Sequence, residues 1–164
     1  TTVYQDPLTE GMCCLDVIFP IMMSHEPIDL LILMLGTNDT KERFGVTPEC
    51  IGVGMERLIN KARTITAWSN NQPNILLIAP PHILDEMCSG PFYGVMGAGC
   101  VEKSRELAFF YKLIADRTGC HFLDAEKVAE FNRTDGMHLT KKGHASLAGH
   151  LANIIPEMVN KYEK

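Results

Sequence analysis

The sequence has no long apolar run. None of its 164 residues lies in a stretch approaching the ~18 needed for a bilayer-spanning helix. The longest run, Ile28 to Leu35, is already interrupted by Asp29. Positive charge is also scarce: no basic cluster exceeds Lys141-Lys142 and the formal net charge is −5, which excludes a phosphate-backbone surface and with it a nucleic-acid partner. The six cysteines (Cys13, Cys14, Cys50, Cys88, Cys100 and Cys120) include no C-x-x-C pair. A chain of this length needs no disulfide staples, so they read as free thiols of a reducing compartment, with a disulfide framework as the alternative. A cytoplasmic location is therefore the expectation. No signal-peptide apolar segment opens the chain, but Thr1 is not an initiator methionine, and the expectation is that the natural N-terminus lies further upstream. Internal repeats and low-complexity stretches are absent too.

A hydrophobic fraction of 46% is ordinary for a globular protein, and the length suits one domain with one core. Residues 1–27 read as irregular, broken by Pro7, Gly11, Pro20 and Pro27, with a short helix near 15–23 that Pro20 interrupts or begins. "IDLLILML" (28–35) is a continuous apolar run of strand length, as expected of a strand covered on both faces. A helix over 47–65 follows: Thr47 can cap it, Pro48 suits its first position, and Ile51, Met55, Leu58, Ile59 and Ala62 recur at helical spacing. "NILLIAPP" (74–81) is a second buried strand stopped by prolines, and a Gly-rich loop leads to a helix over 101–118. "CHFLDA" (120–125) is a third strand, and a final helix spans 140–162. Strand and helix alternate three times, which predicts an α/β fold with a parallel sheet.

In such sheets ligands sit beyond the carboxyl ends of the strands. That rim carries "GTND" (36–39), "PPHI" (80–83) and the loop 125–138. An Asn amide in that position can donate to an oxyanion; alternatively, Asn38 and Asp39 merely close a turn. In "DGMH" a carboxylate three residues before a His can curl back to a ring nitrogen, leaving the other nitrogen as a general base; the alternative is an ordinary loop hydrogen bond. A base, its orienter and an oxyanion donor are equipment for acyl transfer that lacks a nucleophile. Metal chemistry is the weaker competitor, because His138, His144 and His150 repeat at six residues, a period that does not hold one helical face. Asp39 and Thr37 read as braces for the Asn38 turn.

"DLLILMLGTND" resembles the third block of the SGNH (GDSL-type) hydrolases, and "DGMHLTKKGHASLAGHL" resembles their last block, the D-x-x-H before the C-terminal helix. "TTVYQDP", "RFGVTPECIGVGMERL", "LLIAPPHI" and "EKSRELAFFYKLIADRTGCHFLDA" are similar to the arylesterase and acyltransferase-like branch, so the resemblance covers nearly the whole chain. It implies a three-layer, flavodoxin-like α/β/α sandwich. Asn38 would be an oxyanion donor, Asp135 the orienting acid and His138 the base. Ester hydrolysis or acyl transfer would proceed through an acyl-serine on a small ester substrate, with no metal and no cofactor.

The first strand of that family ends in G-D-S, whose Ser is the nucleophile, and a second block supplies a Gly amide; neither occurs here. The chain looks like the family without its first strand, first helix and second strand, a unit of roughly 30 residues or more. In the family that first strand is central, so its removal would expose strand edges. The implied partner is an upstream N-terminal fragment of the same protein, docked or contiguous. Ser24, Ser69, Ser89, Ser104 and Ser146 follow no strand in the required way, Ser89 being the least implausible substitute. Thr1 could act as an N-terminal nucleophile, but the layered antiparallel pattern of that enzyme class is missing.

For substrate contacts, the loop 82–100 offers Phe92, Tyr93 and Met96, read either as an apolar wall over the site or as a patch buried between subunits of a homo-oligomer. His82 is expected to line the pocket or to cap a turn. The opening segment "TTVYQDPLTEGMCC" is too irregular for the core and suits a contact arm.

Overall fold

A computed structural model describes residues 1–129, 133 and 135–159. Among these described residues three parallel strands form the sheet: β1 (Leu31–Leu33), β2 (Ile75–Ala79) and β3 (His121–Asp124), in the order β1-β2-β3. Leu31 pairs with Ile75, and Leu76 with His121. β2 is central and every residue in it is buried, which explains its unbroken apolar run, since a strand sandwiched between helix layers has no solvent side. Each strand is shorter than its apolar run: Ile28 makes only an isolated bridge to Trp68.

Helices α1 (Cys14–Ser24), α2 (Pro48–Arg63) and α4 (Cys100–Thr118) pack against one face of the sheet; α5 (Lys141–Val159) packs against the other. A single turn, α3 (Tyr93–Met96), lies in the loop before α4. The alternation of strand side chains sorts the core accordingly. Leu33, Ile75, Leu77 and Ala79 meet the three-helix layer, while Leu76 and Ile78 meet Leu147 and Leu151 of α5. The result is the three-layer α/β/α sandwich with a parallel sheet that the sequence led us to expect.

Local signals set the helix ends. The Thr47 hydroxyl accepts from the Cys50 amide at 3.2 Å, with Pro48 in the first turn, and Ile51, Met55, Leu58, Ile59 and Ala62 are all fully buried. Gly119 ends α4 in the left-handed region, its N–H returning to the Ala115 carbonyl. Pro20 sits inside α1 rather than at its start. The expected tail of the last helix beyond residue 159 lies outside the described residues.

The opening segment, read as too irregular for the core, is partly buried. Thr2, Asp6 and Cys13 are buried. Asp6 accepts from Lys41 Nζ at 2.7 Å and from Arg43 Nε and Nη2 at 3.1 Å, while Arg43 Nη1 donates to the Val95 carbonyl at 2.7 Å. An irregular segment can be buried when its polar groups find charged partners. The Arg43 guanidinium and then the Lys41 ammonium hold the Asp6 carboxyl well below the usual carboxylate range. Its contribution to stability is complete above the unfolded-state pKa and is lost as pH falls through the lower folded-state value. Asp6→Asn is therefore expected to lower Tm at pH 7 by several degrees and to flatten the acid limb of the Tm–pH curve, measured by calorimetry between pH 2 and 7; an unchanged acid limb would contradict this role.

Candidate active site

β1 leaves the sheet through Leu35 and turns at Gly36, whose φ of +125° suits glycine and whose added Cβ would collide with the Tyr111 hydroxyl. Tyr111, fully buried on α4, donates that hydroxyl to the Leu35 carbonyl at 2.9 Å. The 3-10 turn Thr37–Thr40 follows and presents Asn38 at the rim. Main-chain groups close this turn: the Asp39 amide donates to the Gly36 carbonyl at 2.9 Å, and the Thr37 carbonyl accepts from the Thr40 hydroxyl at 2.7 Å.

From the far end of the chain, Asp135 and His138 meet as their spacing suggested. One oxygen of Asp135, Oδ1, accepts from the Met137 and His138 amides at 2.9 Å each, and Oδ2 lies 3.1 Å from His138 Nδ1. Between them Gly136 turns at φ +68° and accepts at its carbonyl from the Leu84 amide at 2.7 Å. Burial pushes the Asp135 carboxyl up, but the amides of His138 and Met137 and the His138 ring outweigh it and hold the group below its ordinary value. An ionised Asp135 facing Nδ1 assigns the N–H to that nitrogen and leaves Nε2 as the proton acceptor. The Phe92 ring meets the imidazole edge-on at 5.3 Å.

Asn38 and His138 converge on one cavity of about 270 Å³, lined also by Met34, Thr37, Pro80, Pro81, Met137, Leu139 and His144. None of the four residues expected to line it is in this lining; Phe92 touches the His138 ring but packs against a small neighbouring cluster. Met96 is buried in a small cluster with Ile83, Met87, Cys100 and Val101; Tyr93 is exposed on α3; and His82 pairs through Nδ1 with Glu126 at 2.9 Å. Sequence reasoning missed Met34, Met137, Leu139 and His144. The first three stand within the motifs already recognised, and His144 lies on the first turn of α5. Ser104 is buried and bonded to the Val101 carbonyl and the Ile83 amide, and Ser89 is exposed with its hydroxyl on the Glu86 carbonyl. Among the described residues no three His, Cys, Asp or Glu side chains gather to hold a metal ion, and no helix is long and apolar enough to cross a membrane.

A parallel sheet whose carboxyl rim brings a carboxylate-oriented imidazole and an Asn side chain to one cavity defines a hydrolase-type α/β sandwich. No protein-family model and no curated protein matches the sequence, but solved structures do. The aryl esterase of M. smegmatis is 30% identical with a TM-score of 0.87, the match covering 96% of this chain and 74% of that one. A carbohydrate acetylesterase family member from Sinorhizobium meliloti is 32% identical with a TM-score of 0.88, over 98% of this chain and 76% of that one. The chain belongs to the SGNH hydrolase family.

Proposed function

We propose that residues 1–164 are the larger part of a single SGNH domain that hydrolyses small carboxylic esters through an acyl-serine, with the serine on a strand upstream of Thr1. The observation that carries this reading is the convergence of Asn38 and the Asp135-oriented His138 on one apolar cavity. Nε2 of His138 would take the serine proton as the hydroxyl oxygen attacks the ester carbonyl. The Asn38 amide would donate to the oxyanion that forms, and His138 would return the proton to the departing alcohol. Water then repeats the sequence on the acyl-serine. A volume of about 270 Å³ suits a short acyl group, and the solved neighbours are named an aryl esterase and a carbohydrate acetylesterase. We therefore read the substrate as an acetyl-type ester of an aryl or sugar alcohol.

Two features support an upstream strand. β1 lies at the sheet edge, and the α5-side residues Ile32 and Met34 are 38% and 39% exposed, an unusual state for a strand this apolar. Along that edge runs an apolar groove of about 330 Å³ between β1 and the α1 residues Cys14, Ile18, Ile21 and Met22. A second reading, ester binding without turnover, draws on the lack of serine among the described residues lining the cavity. A cytoplasmic location also belongs to the proposal, supported by six unpaired cysteines.

Fluorophosphonate labelling of the full-length protein, followed by peptide mass analysis, separates the two. An adduct on a serine preceding residue 1 supports the esterase. An adduct within residues 1–164, or none at all, overturns it.

A further inference from the structure

Asn38 is exposed, and its side chain makes no hydrogen bond to the described residues, so its aim is set by its backbone. The bonds that close the turn Thr37–Thr40 give it shape but do not place it in the molecule. Placement comes from the next residue. Asp39 is fully buried, and its Oδ1 accepts from the Thr2 amide at 2.8 Å and the Thr2 hydroxyl at 2.6 Å. Thr2 is itself fully buried, and its carbonyl accepts from the Leu15 amide at 3.1 Å, while the Thr1 carbonyl accepts from the Cys14 amide at 3.1 Å. Asp39 thus ties the turn carrying Asn38 to the start of α1.

This tie is kept at a cost. Oδ2 of Asp39 is buried with no partner among the described residues, and burial pushes its carboxyl pKa up. A carboxylate serving stability alone is expected to be fully paired or replaced by apolar packing. A local rule broken one residue from the oxyanion donor marks a functional constraint. We propose that Asp39 is a positioning residue: through its clamp on Thr2 it fixes the turn that aims the Asn38 amide into the cavity. The inference rests on reading Asn38 as the oxyanion donor.

The test compares Asp39→Ala, Asp39→Asn and Thr2→Val in the full-length protein, with the core variant Ile59→Val as a stability control. Activity is read on p-nitrophenyl acetate per folded molecule. Asp39→Asn keeps an acceptor for Thr2 and is expected to retain kcat within about threefold, whereas Asp39→Ala loses about 10- to 100-fold in kcat with KM within about twofold. Thr2→Val, which keeps the backbone donor, falls between. Ile59→Val loses stability but not kcat. A second readout is independent of turnover: the Asn38 side-chain amide signals in NMR shift in Asp39→Ala and Thr2→Val, but not in Asp39→Asn or Ile59→Val. If wild type shows no turnover, the esterase reading fails while these signals still decide the clamp. Unmoved Asn38 signals with wild-type kcat in Asp39→Ala would overturn the proposal, as would an equal kcat loss in Ile59→Val. If Asp39→Ala does not fold, Thr2→Val carries the comparison.

Discussion

Replacing His138 by alanine is expected to lower kcat for ester hydrolysis by ~10⁴-fold or more, with the fold retained, because a triad acts as a unit and loses most of its rate with any member. The argument is geometric. Asp135 holds Nδ1 at 3.1 Å, the proposed mechanism takes the opposite ring nitrogen as the acceptor, and among the described residues no other one lining the cavity offers a base with an orienting carboxylate. Its side chain is 58% exposed, so truncation creates no core cavity, and Tm is expected to change little. Asp135→Asn removes the charge that selects the tautomer and is expected to cost ~10³–10⁴-fold in kcat. The depressed Asp135 pKa adds a sign: the carboxylate stays ionised below its ordinary range, so loss of activity between about pH 5 and 7 would not come from protonation of Asp135. Steady-state kinetics on p-nitrophenyl acetate checks all of this. A His138→Ala enzyme within about tenfold of wild type would remove His138 from the mechanism.

Gly136→Ala is expected to cost ~10²-fold in kcat without removing any chemical group. Gly136 is buried at φ +68°, where a Cβ is strained, and the added carbon would stand 2.6 Å from the Met87 amide nitrogen and 3.1 Å from its Cα. Those are backbone atoms of a 3-10 turn and cannot rotate aside. Relief has to come from the loop joining Asp135 to His138, and a misplacement of ~1 Å is enough for a loss of that size. The variant should keep its circular dichroism spectrum while losing kcat and several degrees of Tm. Unchanged kcat would mean that the loop absorbs the methyl elsewhere and that Gly136 does not hold the pair in register.

Much of the site could be read along the chain because its strongest signals are local. Asp135 and His138 are three residues apart across a glycine, so their hydrogen bond needs only the turn that their own sequence favours. The Gly36 turn follows from a buried strand that must end in a conformation with positive φ. What failed was the assignment of side chains to the cavity by proximity in sequence. Phe92 and Met96, four residues apart, pack into one small buried cluster, while Tyr93 between them points to solvent, because a helical turn puts i and i+4 on one face and i+1 on another. The opening segment likewise reads as too irregular for the core, and only the distant Lys41, Arg43 and Asp39 give its polar groups a reason to be buried.

By itself the sequence determined an α/β fold with a parallel sheet, since apolar runs of strand length alternating with amphipathic helices can bury their faces in few other ways; the sandwich followed from the family resemblance, and the spacing of Asp135 and His138 allowed their pairing. The shared rim already put Asn38 and His138 together; tertiary structure alone decided that Met34, Leu139 and His144 line the cavity they face and that Asp39 reaches back to Thr2. Such meetings depend on which strands become neighbours and which helix covers each face. Those choices are made by packing across the whole core, and no window of the chain contains them.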